Sequence, residues 1–229
     1  MTRMFVVDGK PMKTWNVFKG CCFECTYCNA RKMAQTRLKD SPRYHDGFTP
    51  RLVTEELGRR FRPGQFIFVG YMGDISFATR DEVGFILAQT IDFYPETSFL
   101  FCSKNPAIYS CWKLAYPDNL YLGTTIETNR SYGFSKAPPP LERFRAIAAL
   151  RHARKFVSIE PVMDFDLDVM SQWLKEIKPD IVEIGADNYH NHLPEPSWEK
   201  IEKLFGALRG FVPTVVEKDG LERLKGGNC

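Results

Sequence analysis

Short apolar runs alternate with helix-length segments along this chain, and that alternation constrains the fold more than any other feature of the sequence. The runs cover 14–18, 65–70, 98–102, 120–126, 155–159 and 180–184. Each is strand-sized, with the β-branched and aromatic content that suits a buried strand. Between and after them the pattern predicts helices over 30–38, 52–61, 81–93, 107–114, 167–177 and 197–208. A further helix follows the Pro138-Pro-Pro140 lead-in, with Leu141, Phe144, Ile147 and Ala148 along one stripe. Six βα units in this order predict an α/β chain with a parallel sheet, in the form of a partial (βα)6 TIM-like barrel. A doubly wound open sheet has the same element order and stands as the alternative. An apolar piece over 212–216 closes the series. At 229 residues the chain suits a single domain, 1–229, with a short C-terminal extension over about 211–229.

In a βα barrel, chemistry gathers where strands end. Here the strand ends are polar or glycine-rich. The second run leads into Gly73-Asp74, the third into Ser103-Lys104, the fourth into Thr125 and Glu127, the fifth into Glu160, and the sixth into Gly185 through His190. The first leads into Cys21-Cys-Phe-Glu-Cys-Thr-Tyr-Cys28. Cys21, Cys25 and Cys28 are spaced Cys-x3-Cys-x2-Cys, which lets one loop offer three thiolates to one inorganic centre. A four-iron cluster normally takes four thiolates, so three leave one iron open. Zinc held by the same cysteines and His45 is the competing reading. Disulfides are disfavoured by the crowding and by an odd total of 7 cysteines. Cys22 reads as a packing residue, Cys102 as a core thiol or hydrogen-atom donor, and Cys229 as a terminal thiol able to reach the site.

With Tyr27 just before its last cysteine, this loop resembles the signature of the radical S-adenosylmethionine enzymes. Ser103-Lys104, Thr125-x-Glu127 and Pro140-Leu-Glu-Arg-Phe-Arg145 resemble the spore photoproduct lyase branch and short phage-associated relatives. The resemblance implies a [4Fe–4S] cluster on Cys21, Cys25 and Cys28. It implies S-adenosyl-L-methionine held by Tyr27 beside the adenine and by Gly73-Asp74 at the amino group, with Lys104 and Thr125 at the carboxylate. Glu127 would meet the ribose or the substrate, and Glu160 joins the binding set. Lys104, Glu127 and Cys102 are the implied catalytic residues. The implied activity is reductive cleavage of the cofactor to a 5′-deoxyadenosyl radical, which then takes hydrogen from a substrate. A nucleobase or nucleic acid is the first candidate substrate, and flavodoxin or ferredoxin would donate electrons.

Charge is unevenly spread. Residues 1–65 hold 13 Lys and Arg against 6 Asp and Glu, while the whole chain is only +3. That surplus suits a solvated helix face or a docking surface for an acidic carrier or nucleic acid. The longest apolar runs are far too short to cross a bilayer, and the first eight residues carry no secretory leader. A reduced, cytoplasmic setting without membrane attachment is therefore expected. Asp187, His190, His192 and Lys218 are further candidates for substrate contact. A zinc-stabilised nucleic-acid-binding module and a non-catalytic iron–sulfur electron carrier remain the alternative functions.

Overall fold

The apolar runs form strands because both of their faces are covered. The structure is a computed structural model and describes residues 6–7 and 10–226; Cys229 lies outside them. Seven strands build one sheet: β1 (Lys13–Trp15), β2 (Phe66–Val69), β3 (Ser98–Ser103), β4 (Leu120–Thr125), β5 (Lys155–Ile159), β6 (Ile181–Ile184) and β7 (Thr214–Glu217). Their order in space follows their order in sequence, and every pairing is parallel. A doubly wound sheet reverses its strand order partway, and this one never does. It curls instead into a half-barrel.

Alternation along the strands sorts side chains to two faces. Ile67, Val69, Phe99, Phe101, Leu122, Val157, Val182 and Ile184 point to the helix layer. Phe66, Leu100, Phe156, Ile181 and Val216 point the other way and plug the floor of the concave face with Met12. The helices are α1 (Asn29–Gln35), α2 (Arg80–Gln89), α3 (Ala107–Trp112), α4 (Pro140–Ala149), α5 (Leu167–Ile177) and α6 (Trp198–Arg209). In α5, Met170, Trp173, Leu174 and Ile177 form the buried stripe. Trp173 stacks on Phe144 of α4 at 4.7 Å between ring centroids. Thr79 caps α2 with a capping box closed by Glu82.

Two expectations fail. The helix over 52–61 is a single 3-10 turn, Thr54–Glu56. Its amino end is taken by an antiparallel pairing of Arg51–Leu52 with Phe18–Lys19, and Val53 N–H donates to Val17 O at 2.7 Å. The first strand also stops early, at Trp15, because residues 18–19 leave the sheet for that pairing. At the other end the apolar piece after α6 becomes β7, a full member of the sheet, with Glu217 opposite Ile184. Among the described residues no helix is long and apolar enough to cross a membrane.

Candidate active site

The cysteine loop is fixed by backbone contact rather than by its own sequence. Gly20 and Gly73 form an isolated parallel bridge: Gly20 N–H donates to Met72 O at 2.9 Å, and Asp74 N–H donates to Gly20 O at 3.0 Å. A Cβ on Gly73 would fall 2.7 Å from Gly20 N and O. Gly20 itself has φ +84 and would drive a Cβ to 2.3 Å from Thr49 O, so both positions require glycine. A strap over 129–137 holds the far side. Thr26 N–H donates to Phe134 O at 2.9 Å, Lys136 N–H donates to Phe23 O at 2.7 Å, and Lys136 pairs with Glu24.

Each thiol in this frame has a polar neighbour. Phe23 N–H points at Cys21 Sγ and Arg31 N–H at Cys28 Sγ, both at 3.4 Å, and Ser135 Oγ lies 3.1 Å from Cys25 Sγ. Burial pushes the Cys21 and Cys28 thiols up, and Cys25 beside them raises both further. Arg31 packs over Phe48, donates to Cys21 O at 2.7 Å, and leaves its buried Nε without a hydrogen bond. Cys22 is exposed and is not a packing residue. His45 is exposed, with Nδ1 2.7 Å from Pro42 O. Among the described residues no three His, Cys, Asp or Glu side chains gather closely enough to share a single metal ion.

Next to the loop lies a buried ionic knot. Tyr27 OH donates to Glu127 Oε1 at 2.6 Å, Lys104 Nζ donates to Tyr27 OH at 2.6 Å, and Lys104 pairs with Glu127. Arg143, part of the Pro140-Leu-Glu-Arg-Phe-Arg145 stretch though not among the implied site residues, donates to Glu127 Oε2 at 2.7 Å, to Thr125 O at 3.0 Å and to Pro138 O at 2.6 Å. Glu127 is 2% exposed and Arg143 4%. Burial opposes the charge on Glu127, but Lys104 and Arg143 outweigh it and hold the carboxyl well below the usual range. Burial likewise opposes the charge on Lys104, and Glu127 overcomes it and raises the ammonium. Besides that stretch, the signal for Arg143 is its spacing: it lies one turn before Ile147 on the buried face of α4. A pocket of about 100 Å³ opens beside the knot, lined by Tyr27, Glu127, Tyr132, Arg143 and Met163 among others.

Asp74 is spent internally. Its Oδ1 accepts from Ser76 N–H at 3.0 Å, Ser76 Oγ at 2.8 Å and Ser103 Oγ at 2.6 Å, and its Oδ2 accepts from Lys104 N–H at 2.9 Å. It therefore ties the end of β2 to the end of β3 and sets where Lys104 starts. On the concave face Cys102 Sγ lies 3.8 Å from Thr125 Oγ1, with its thiol pushed up by burial. Farther around the rim Glu160 pairs with Lys218, and Lys218 lies 3.5 Å from Glu183. Glu183 is absent from the sequence-derived set, being the one charged residue in an otherwise apolar strand. His190 and His192 are exposed in left-handed conformations, and Asp187 accepts from the Asn191 backbone and side chain within its own loop. The basic residues of the first third divide: Lys32, Arg37 and Lys39 flank the cysteine loop, whereas Arg59, Arg60 and Arg62 precede β2 at the opposite end of the sheet.

The same fold occurs in solved structures. Spore photoproduct lyase in complex with a dinucleoside spore photoproduct superimposes with a TM-score of 0.55 at 10% identity, covering 88% of this chain and 75% of that one. A tyrosine-to-phenylalanine mutant of spore photoproduct lyase gives 0.52 at 12% identity with the same coverage. No curated protein matches the sequence. A family described as "Protein of unknown function (DUF5131)" matches residues 11–200, and with most of its length inside that match this chain belongs to the DUF5131 family.

Proposed function

We propose that this chain is a radical S-adenosylmethionine enzyme whose substrate is a nucleobase or nucleic acid. The observation that carries the reading is a loop of three thiols, fixed backbone-to-backbone at the strand ends of a half-barrel, with a cationic knot at its side. The donor set fits an anionic cluster. N–H groups aim at two of the sulfurs, a hydroxyl meets the third, and the Arg31 guanidinium lies alongside. Supporting the same reading, spore photoproduct lyase shares the fold and has been solved with a dinucleoside spore photoproduct bound.

Cys21, Cys25 and Cys28 would hold a [4Fe–4S] cluster, and S-adenosyl-L-methionine would lie against Tyr27, Gly73, Asp74, Lys104, Thr125, Glu127 and Glu160. When bound and reduced by an external one-electron donor, this pair would supply reductive cleavage of the sulfonium and so a radical able to take hydrogen from a substrate. The chain's own contribution is placement. Lys104 and Arg143 together outweigh Glu127 by one positive charge, which suits a carboxylate arriving from the open side. Glu127 is too enclosed to meet a ligand broadly, and it acts by holding Lys104 and Tyr27 in position. Asp74 acts through the Lys104 backbone and Ser103. Cys102, on the concave face two residues before Lys104, would return a hydrogen atom to a product radical. Exposed Lys32, Arg37 and Lys39 beside the loop suit an acidic reductant such as flavodoxin or ferredoxin.

The test is anaerobic reconstitution with iron and sulfide, then dithionite and S-adenosylmethionine, with 5′-deoxyadenosine as the product assayed. The expected result is a brown protein that forms 5′-deoxyadenosine and loses both properties when Cys25 becomes alanine. A colourless zinc protein with no cofactor cleavage would end the proposal.

A further inference from the structure

Arg31 leaves the cysteine loop and comes back to it. Its backbone N–H donates to Cys28 Sγ at 3.4 Å, where Cys28 caps α1. Its side chain then returns to the other end of the loop, where Nη2 donates to Cys21 O at 2.7 Å. One residue therefore spans the first and last thiols of the motif. The Phe48 ring takes a face of the planar guanidinium, with Cζ 5.2 Å from the ring centroid. The N–H groups lie in the plane, so they point past that ring rather than into it. Nε–H shares an edge with Nη2, and the two donors point the same way. With Nη2 on Cys21 O, Nε–H faces the Cys21 side of the loop. There it has no partner: Nε is buried and makes no hydrogen bond.

A charged donor shut off from water without an acceptor is costly, so the edge marks a place where an acceptor is rewarded. The surroundings say which kind. Cys21 O is already engaged by Nη2. Glu24, the one carboxylate of the loop, is paired with Lys136 instead. What remains on the loop is sulfur. Thiols are weak acceptors while they keep their protons, whereas thiolates and the sulfurs of an iron–sulfur cluster accept N–H bonds. Three thiolates around a cluster leave the whole assembly anionic, and an added electron deepens that charge. A donor already in place then favours the reduced state over the oxidised one.

We infer that Arg31 sets how easily this centre is reduced: its Nε–H donates to a sulfur of the cluster that the three cysteines would hold, and raises the reduction potential. The inference rests on the proposed function and deepens it by naming what regulates the supply of electrons to that site. The step concerned is the arrival of one electron from an external reductant, with no bond made or broken and no proton moved. Arg31 stays protonated throughout, since a guanidinium keeps its charge at any ordinary pH.

Mediated redox titration followed by EPR on the full reconstituted chain tests this with Arg31→Lys, Arg31→Met and the control Lys32→Gln. Lysine keeps the charge and a donor for Cys21 O but has no Nε–H. The expected result for Arg31→Lys is parental helical signal and iron content with reduction about tenfold less favourable, a midpoint about 59 mV lower for a one-electron couple. Arg31→Met falls at least as far, while Lys32→Gln, whose charge is solvated, stays within about twofold of the parent. A parental midpoint in Arg31→Lys would overturn the inference, because charge and the Cys21 contact would then suffice. Should the variants not fold, the unmodified chain decides. With arginine isotopically labelled at Nε, pulsed EPR of the reduced state is expected to show that nitrogen coupled to the cluster spin, and an absent coupling overturns the inference. 5′-Deoxyadenosine is scored in the same preparations. A lowered midpoint in a protein that cleaves no cofactor leaves the role of Arg31 standing and removes the radical chemistry. Cleavage with an unmoved midpoint does the reverse, and a chain that assembles no cluster refutes both.

Discussion

Replacing Arg143 with methionine tests the ionic knot directly. The side chain is 4% exposed and its partner Glu127 3%, so solvent offers little compensation. Three bonds are lost: to Glu127 Oε2, Thr125 O and Pro138 O. The charge-assisted bond contributes about 1.5–3 kcal/mol, and each stranded buried carbonyl costs about 1 kcal/mol. The sum is near 4 kcal/mol, which agrees with the roughly 3–5 kcal/mol lost when one member of a buried ion pair is removed. Lys104 stays on Glu127 and keeps the loss from going higher. For a chain of this size each kcal/mol lowers Tm by about 2–4 °C, so the expected drop is roughly 8–16 °C. Circular dichroism melts of Arg143→Met and of the exposed control Arg151→Met provide the measurement, with the control expected within about 2 °C of the parent. A drop below about 3 °C in Arg143→Met would refute the reasoning, since it would mean that the three acceptors find other donors.

The same knot gives a pH dependence. The Glu127 carboxyl is held below its unfolded value, so its contribution is complete above about pH 4.3 and declines as pH falls beneath that. Urea titrations between neutral and acid pH should show that loss in the parent and a shallower one in Glu127→Gln; parallel curves would count against it. Gly73→Ala forces a Cβ against the Gly20 backbone, so it should cost about 1–3 kcal/mol in urea unfolding and lower iron retention after reconstitution; parental values for both would dismiss the close approach. Ser135→Ala removes the hydroxyl beside Cys25 Sγ and should make the reconstituted centre harder to reduce, as read by a potentiometric titration followed by EPR. An unchanged midpoint would assign Ser135 to holding Phe23 and Ala137 alone.

Much of the fold was legible because parallel strands covered on both faces leave continuous apolar runs. Lys155–Ile159 is buried throughout and stood out with its bounds intact, as did Leu167–Ile177 with its strong stripe. The segment at 52–61 misled because Val53, Leu57 and Phe61 keep helical spacing, while the pairing of Arg51–Leu52 with Phe18–Lys19 is a tertiary contact that spacing cannot show. The order of elements was visible, but the choice between half-barrel and doubly wound sheet lay in lateral pairing. For the site, the cysteines and Lys104 were marked by local pattern. Arg143 and Glu183 were harder to see: Arg143 stands among Glu142 and Arg145 with nothing local to mark it as the buried one, Glu183 is a lone charge in an apolar strand, and their partners lie 16 and 35 residues away in sequence. Asp74 was found, but its burial by Ser76, Ser103 and Lys104 gives it a bracing role that no motif encodes.

The crossing of Gly20 and Gly73 bears on how portable the three-thiol loop is. Two bare backbones touch there with no side chain between them, so the direction in which the thiols face is inherited from the twist of the sheet behind them. A peptide spanning the three cysteines, or the same residues grafted onto another scaffold, would bring the thiols without the wall that aims them. The smallest transplantable unit is the loop together with the end of β2 and the strap over 129–137, which makes the thiol arrangement a property of the architecture more than of its motif.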